Sequence, residues 1–226
     1  MRRSSQLFSV ALVILLVIVV IEISLSSPSE TPPLYHGQPS VFAKYNPELS
    51  GLSSVRVKIV KLAESQIGYR TNPVNSYCNK YSAFWFSGQS DCPSGELNEE
   101  WCADFAAWVW KTAGVSFTYQ YLNGDINSSS ASFYEWGVRF GRWHATSSGY
   151  IPLPGDVAVY GLNSATLVAA HVAVVVGTSG PNNAPAGVNG DADRKSFSDV
   201  EFAANELHPD AKNPGVTLSG YVSPLP

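Results

Sequence analysis

Two groups in this sequence have the makings of a nucleophile and its base: the thiol of Cys102 and the imidazole of His171. Cys102 stands in Trp101-Cys102-Ala103-Asp104-Phe105, where the pattern predicts the start of a helix. Asn98 reads as its N-cap, and Glu99 and Glu100 suit the positive end of the helix dipole. Cys102, Phe105, Ala106 and Val109 then share one face until Gly114 ends the helix. A free thiol has a pKa of about 8.5, and a helix N-terminus with a neighbouring imidazolium lowers it to about 4–7. Each unit of that shift is worth roughly 1.4 kcal/mol in favour of the anion. The competing reading makes Cys102 a small buried hydrophobe or half of a disulfide.

A thiol nucleophile needs a base, and the chain has four histidines. His36 lies in a Pro/Ser-rich stretch, His144 in a Gly/Ser-rich one and His208 beside Pro209, and all three read as solvated. His171 opens the Val-rich run to Gly177, so it is predicted to sit at the end of a rigid buried strand, where a base is held in reach of a facing helix. The alternative is a histidine that only caps the sheet. A third group must accept a hydrogen bond from the second ring nitrogen. Asn189 and Asp191 lie on the next predicted strand, and alternation lets both face His171. Either suits the role, unless Asn189-Gly190 is simply a turn.

No metal or cofactor is expected. The cysteines lack paired CxxC spacing and the histidines are scattered. Asn189, Asp191 and Asp193 are not followed by the acidic residue that closes an EF-hand loop. No phosphate-cradling glycine loop is present.

The elements that must position these residues are legible as periodicities. Val55, Ile59, Leu62, Ala63 and Ile67 recur at helical spacing, capped by Ser53 or Ser54 and stopped by Gly68. Thr71 to Gly95 is full of turn residues and has no period, and Ser132 to Phe140 reads as a short helix. Strands are expected at Asp156–Tyr160, His171–Gly177, Gly187–Asp191, Ser198–Phe202 and Leu218–Val222. Helices first and strands afterwards make an α+β domain with a small antiparallel sheet.

Composition bounds the rest. The 226 residues are 45% hydrophobic and only 14% charged, which suits a loop-rich globular domain rather than a bundle or a disordered chain. A formal net charge of -4, with no basic run beyond the first residues, argues against a nucleic-acid partner. Arg2 and Arg3 precede an apolar run from Leu7 to Ile21, the pattern of an export signal. Residues 1–27 are therefore expected to be a cleaved signal or an uncleaved membrane anchor, the chain's only expected link to a membrane. Residues 28–50 read as an extracytoplasmic linker and 51–226 as the domain, expected to be monomeric. In an oxidising compartment, three cysteines suggest one bridge and one free thiol. Pairing Cys78 with Cys92 leaves Cys102 free, whereas pairing Cys92 with Cys102 consumes it.

With these residues in place, a family resemblance follows. Trp101 to Lys111, ending in Ala113-Gly114, resembles the nucleophile helix of the CHAP domain family, cysteine- and histidine-dependent amidohydrolases/peptidases related to NlpC/P60 and papain-like enzymes. Pro154-Gly155-Asp156-Val157-Ala158-Val159-Tyr160 resembles that family's Pro-Gly-Asp strand, His171 to Val176 its histidine strand, and Val188-Asn189-Gly190-Asp191 the strand bearing its polar residue. Two departures stand out: Ala170 replaces the usual Gly before the histidine, and the polar pair is Asn189 and Asp191. The resemblance implies a papain-like fold and hydrolysis of amide bonds in peptidoglycan, with Cys102 and His171 catalytic and Asn189 or Asp191 orienting the imidazole. A non-catalytic wall-binding module, or a transpeptidase on the same scaffold, is the alternative.

Overall fold

The computed structural model describes residues 49–122, 124–179, 184–192, 198–207 and 215–225. Helix α1 (Ser54–Ser65) begins at Ser53, whose hydroxyl accepts a hydrogen bond from the Arg56 N–H. Its apolar stripe, Ile59, Val60 and Ala63, is fully buried. The segment predicted to be turns throughout contains a short strand, β1 (Cys78–Asn79), and a helix, α2 (Lys80–Trp85). Asn79 caps α2, its Oδ1 accepting from the Ser82 N–H at 2.7 Å.

Asn98 is not the cap of the next helix. It lies in β2 (Leu97–Asn98), which pairs antiparallel with β1, and its backbone also exchanges hydrogen bonds with Gln89. Helix α3 (Cys102–Ala113) therefore starts later than expected, with Trp101 at the cap and Cys102 as its first residue. Gly114 ends it in a left-handed conformation, φ 102°. Helix α4 (Ala131–Arg139) follows, one residue earlier than its pattern suggested.

Six strands complete the fold: β3 (Trp143–Ala145), β4 (Val157–Tyr160), β5 (His171–Ser179), β6 (Ala184–Ala192), β7 (Asp199–Ala203) and β8 (Leu218–Val222). They form one sheet in the order β3-β8-β4-β5-β6-β7, each neighbouring pair antiparallel. Strand β3 was not anticipated; its His144 stacks on Tyr150 with ring centroids 3.8 Å apart. Helix α3 lies against β5, β6 and α1, and all but two of its residues are buried. Val172, Val174 and Val176 turn into the main core with Phe105 and Val109, while Ala173, Val175 and Tyr160 belong to a second cluster. This is the period-2 alternation of a strand covered on both faces.

Three features fix α3 on the sheet. The Arg56 guanidinium is buried and donates to Asp156 Oδ1 at 2.8 Å, to the Pro154 carbonyl at 2.9 Å and to Ser223 Oγ at 2.7 Å, tying α1 to the Pro-Gly-Asp turn and to the end of β8. The Trp110 indole N–H donates to the Gly155 carbonyl at 3.0 Å. Gly190 lets β6 approach the helix, since a Cβ there would overlap Phe105. Cys78 and Cys92 form a disulfide with Cα atoms 5.7 Å apart, so Cys102 is the free thiol.

The apolar run Leu7–Ile21 and the stretch up to residue 48 lie outside the described residues. Among the described residues no helix is long and apolar enough to cross a membrane.

Candidate active site

Because α3 starts at Cys102, the thiol occupies the first helical position. The first helical bond runs from the Phe105 N–H to the Trp101 carbonyl at 2.9 Å, so the N–H groups of Cys102, Ala103 and Asp104 are not consumed by the helix ladder. The side chain of Cys102 is 8% exposed. Its sulfur lies 3.2 Å from Ser130 Oγ, and it faces the backbone N–H of Val172, the residue after His171. No hydrogen bond joins the sulfur to the imidazole among the described residues; His171 is the residue before Val172 on β5. Burial pushes the thiol up to about 12; the Ser130 hydroxyl and the Val172 N–H pull it down, and the carboxyls of Asp191 and Asp104 add to the rise.

His171 opens β5 as its pattern suggested, on the alternation opposite to Val172. Its Nε2 is 2.8 Å from Asn189 Oδ1. An amide oxygen can only accept, so the ring carries its proton on Nε2 in this contact and Nδ1 becomes the basic nitrogen. Asn189 is 2% exposed and its Nδ2 donates to Glu206 Oε1 at 2.6 Å.

Asp191 goes elsewhere. The β6–β7 register shifts between Asn189 and Ala192, and Asp191 adopts a left-handed φ of 55°. The expected alternation is broken there, and the carboxylate turns to the start of the nucleophile helix. It accepts from the Trp101 N–H at 3.1 Å and from the Ser198 hydroxyl at 2.5 Å. Burial raises its pKa, opposed by these bonds and by the charge of His171. Of the two candidates for orienting the imidazole, Asn189 is the one in contact with it.

A carboxyl pair flanks the thiol in the sequence, Glu99 before it and Asp104 in the first turn of α3. Asp104 is fully buried and takes a short hydrogen bond from the Tyr119 hydroxyl. Its Oδ2 and the Glu99 Oε1 are both buried without a donor among the described residues. One proton held between them supplies both. Burial, reinforced by the hydrogen bond to Glu99, pushes Asp104 up to about 8.

The aromatics Trp85, Trp101, Tyr119 and Tyr121 divide between the core and the surface. Trp101 is fully buried, stacked on Tyr81 at 5.3 Å, and belongs to the core. Trp85 and Tyr119 stack at 4.1 Å, and Tyr121 is 66% exposed, its hydroxyl 2.7 Å from both Ser87 and Ser128 Oγ. Ser130 and Glu206 were missed. Ser130 follows Ser128-Ser129 and reads as a helix cap, yet its hydroxyl makes no capping bond and turns to the sulfur instead. Glu206 has no local pattern that marks it.

A helix that opens on a free thiol, laid across an antiparallel sheet whose central strand opens on an amide-held imidazole, defines a papain-like α+β domain. The CHAP domain family model matches residues 94–184, a stretch that contains Cys102 and His171 and stops short of Asn189. Over that stretch, less than half of the chain, the sequence is similar to CHAP domains. No curated protein and no solved structure matches the chain.

Proposed function

We propose that the protein is an exported peptidoglycan hydrolase that cleaves amide bonds in wall peptide, as an endopeptidase or an N-acetylmuramoyl-L-alanine amidase, with Cys102 as nucleophile. The observation that carries the reading is the His171–Asn189 contact at the head of the strand whose next N–H faces the Cys102 sulfur. A histidine that only caps the sheet has no need of a buried amide to hold its ring in one tautomer.

In this mechanism His171 Nδ1 takes the proton of Cys102 as sulfur attacks the amide carbonyl. The N–H of Cys102, unused by the helix, stabilises the oxyanion. The imidazolium then protonates the leaving amine, the C–N bond breaks, and a thioester remains on Cys102. Water, deprotonated by the imidazole, hydrolyses the thioester and restores the thiol. Asn189 keeps the ring oriented throughout, and Asp191 anchors the helix start. Export rests on Arg2, Arg3 and the apolar run after them, and places the domain outside the cytoplasm, free or held by that run.

A second reading, a wall-binding module with an inert thiol, is favoured by one observation: the burial of Cys102. Purified sacculi distinguish the two. The wild type is expected to clear a sacculus suspension and release soluble fragments, while Cys102→Ser and His171→Ala release none. Clearing by Cys102→Ser at the wild-type rate refutes the thiol mechanism; sacculus binding without clearing by the wild type establishes the module. Mass spectra of the fragments identify the bond.

A further inference from the structure

The side chain of Asn189 has two faces of nearly equal shape, one an acceptor and one a donor. With its oxygen toward His171, the ring is protonated at Nε2 and Nδ1 is a base. With its NH2 toward His171, the ring accepts at Nε2, carries its proton on Nδ1, and cannot take one from the thiol. An orienting asparagine is therefore useful only if something selects its rotamer.

We propose that Glu206 is that selector, a positioning residue acting on His171 through Asn189; the inference rests on the hydrolase reading above. Glu206 is fully buried and its Oε1 accepts from Asn189 Nδ2 at 2.6 Å. A carboxylate oxygen offers no donor, so the flipped amide would set two acceptors against each other in a buried site, a loss that orientation avoids. Glu206 is itself fixed. Its N–H donates to the Pro185 carbonyl at 3.0 Å, which seats it on the first residues of β6. Gly187, two residues before Asn189 on the same strand, leaves room for the carboxyl group: a Cβ there would collide with Glu206 Oε2. Gly187, Asn189 and His171 lie on one alternation of the sheet, so the chain Glu206–Asn189–His171 runs along a single face. Neither the nucleophile helix nor the matched segment 94–184 contains Glu206.

The test reads the tautomer itself, independently of hydrolysis. The full chain, labelled with 15N histidine, is examined at a pH of about 8.5, where an ordinary imidazole is neutral, and the His171 ring is assigned by its loss in His171→Ala. The wild type is expected to show the Nε2–H tautomer, and both Glu206→Leu and Glu206→Gln, whose amide can donate to a flipped Asn189, to show a mixture with Nδ1–H. Alkylation of Cys102 by iodoacetamide should fall about tenfold in Glu206→Leu. A folded Glu206→Leu that keeps pure Nε2–H overturns the proposal. If that variant fails to fold, Gly187→Ala takes its place: displacement of the carboxyl should mix the tautomers, and an unmixed spectrum overturns the proposal equally. Failure of the hydrolase reading would appear separately, as sacculus clearing that survives Cys102→Ser.

Discussion

Replacing Asp104 by asparagine should stabilise the protein, and by more as the pH rises. The ordinary aspartate value is 3.8 and burial lifts Asp104 in the folded protein to about 8. Between those values the folded chain binds a proton that the unfolded chain releases, so stability is lost as pH rises through the window. The cost at pH 7 is roughly three units of displacement at ~1.4 kcal/mol each, or about 4 kcal/mol. Asparagine removes it without disturbing the contacts. Its oxygen accepts from the Tyr119 hydroxyl as Asp104 does, and its NH2 donates to the buried Glu99 oxygen in place of the shared proton. Urea denaturation of wild type and Asp104→Asn from pH 4 to pH 8 measures the difference. The expected gain is near zero at about pH 4 and on the order of 2–4 kcal/mol at pH 7. Asp191 and Asp156, whose pKa values are also raised by burial, tilt both curves alike and cancel in the comparison.

The same substitution reports on the site. An ionised Asp104 opposes the Cys102 thiolate, so a neutral residue two positions downstream keeps that charge away from the nucleophile. The ratio of alkylation rates, Asp104→Asn over wild type, should therefore climb above pH 8. Stability curves that run parallel, with a constant rate ratio, would refute the shared proton and the role drawn from it.

Two further substitutions probe how the helix is held. Gly190→Ala places a Cβ against Phe105, with Cγ at 2.7 Å and Cδ1 at 2.9 Å, on a ring that is fully buried and cannot recede. It should cost about 1–3 kcal/mol in urea denaturation and reduce sacculus clearing by more than the lost folded fraction, because the start of α3 is displaced; unchanged clearing would mean that the close approach does not set the site. Arg56→Ala leaves Asp156 buried with its guanidinium partner removed, and should cost about 3–5 kcal/mol in the same measurement; a loss below about 1 kcal/mol, the range of an exposed pair, would show that the pair is not held as described.

The fold class, the helix that carries Cys102 and the strand that His171 opens were legible because each rests on a local period. Ile59, Val60 and Ala63, like Phe105 and Val109, repeat at the helical period, and the valines after His171 can only be a covered strand. The errors fall where pairing elsewhere in the chain overrides a local signal. Asn98 has the chemistry of a cap, but its backbone is committed to Cys78 and Gln89, so the helix begins at Cys102. Helix α2 is too short to show a period and forms around Tyr81, which is fully buried among Tyr69, Trp101, Phe105 and Trp108. A single left-handed residue, Asp191, breaks the alternation that would have aimed it at His171, and no property of an aspartate announces that conformation. Glu206 is joined to Asn189 only through the tertiary fold, 17 positions along the chain.

The burial of Cys102 constrains how the proposed chemistry can proceed. A thiol held near 12 is ionised at pH 7 only at a cost of about five units, roughly 7 kcal/mol. A resting thiolate is then not the reagent. The proton must leave as sulfur attacks, and it needs an acceptor in one tautomer on the near side of the ring. In the proposed mechanism that acceptor sits on a strand end rather than a loop: His171 opens β5, Asn189 holds its Nε2, and Asp191 holds the helix start. The proposed cleavage thus rests on the geometry around the sulfur rather than on the acidity of the buried thiol.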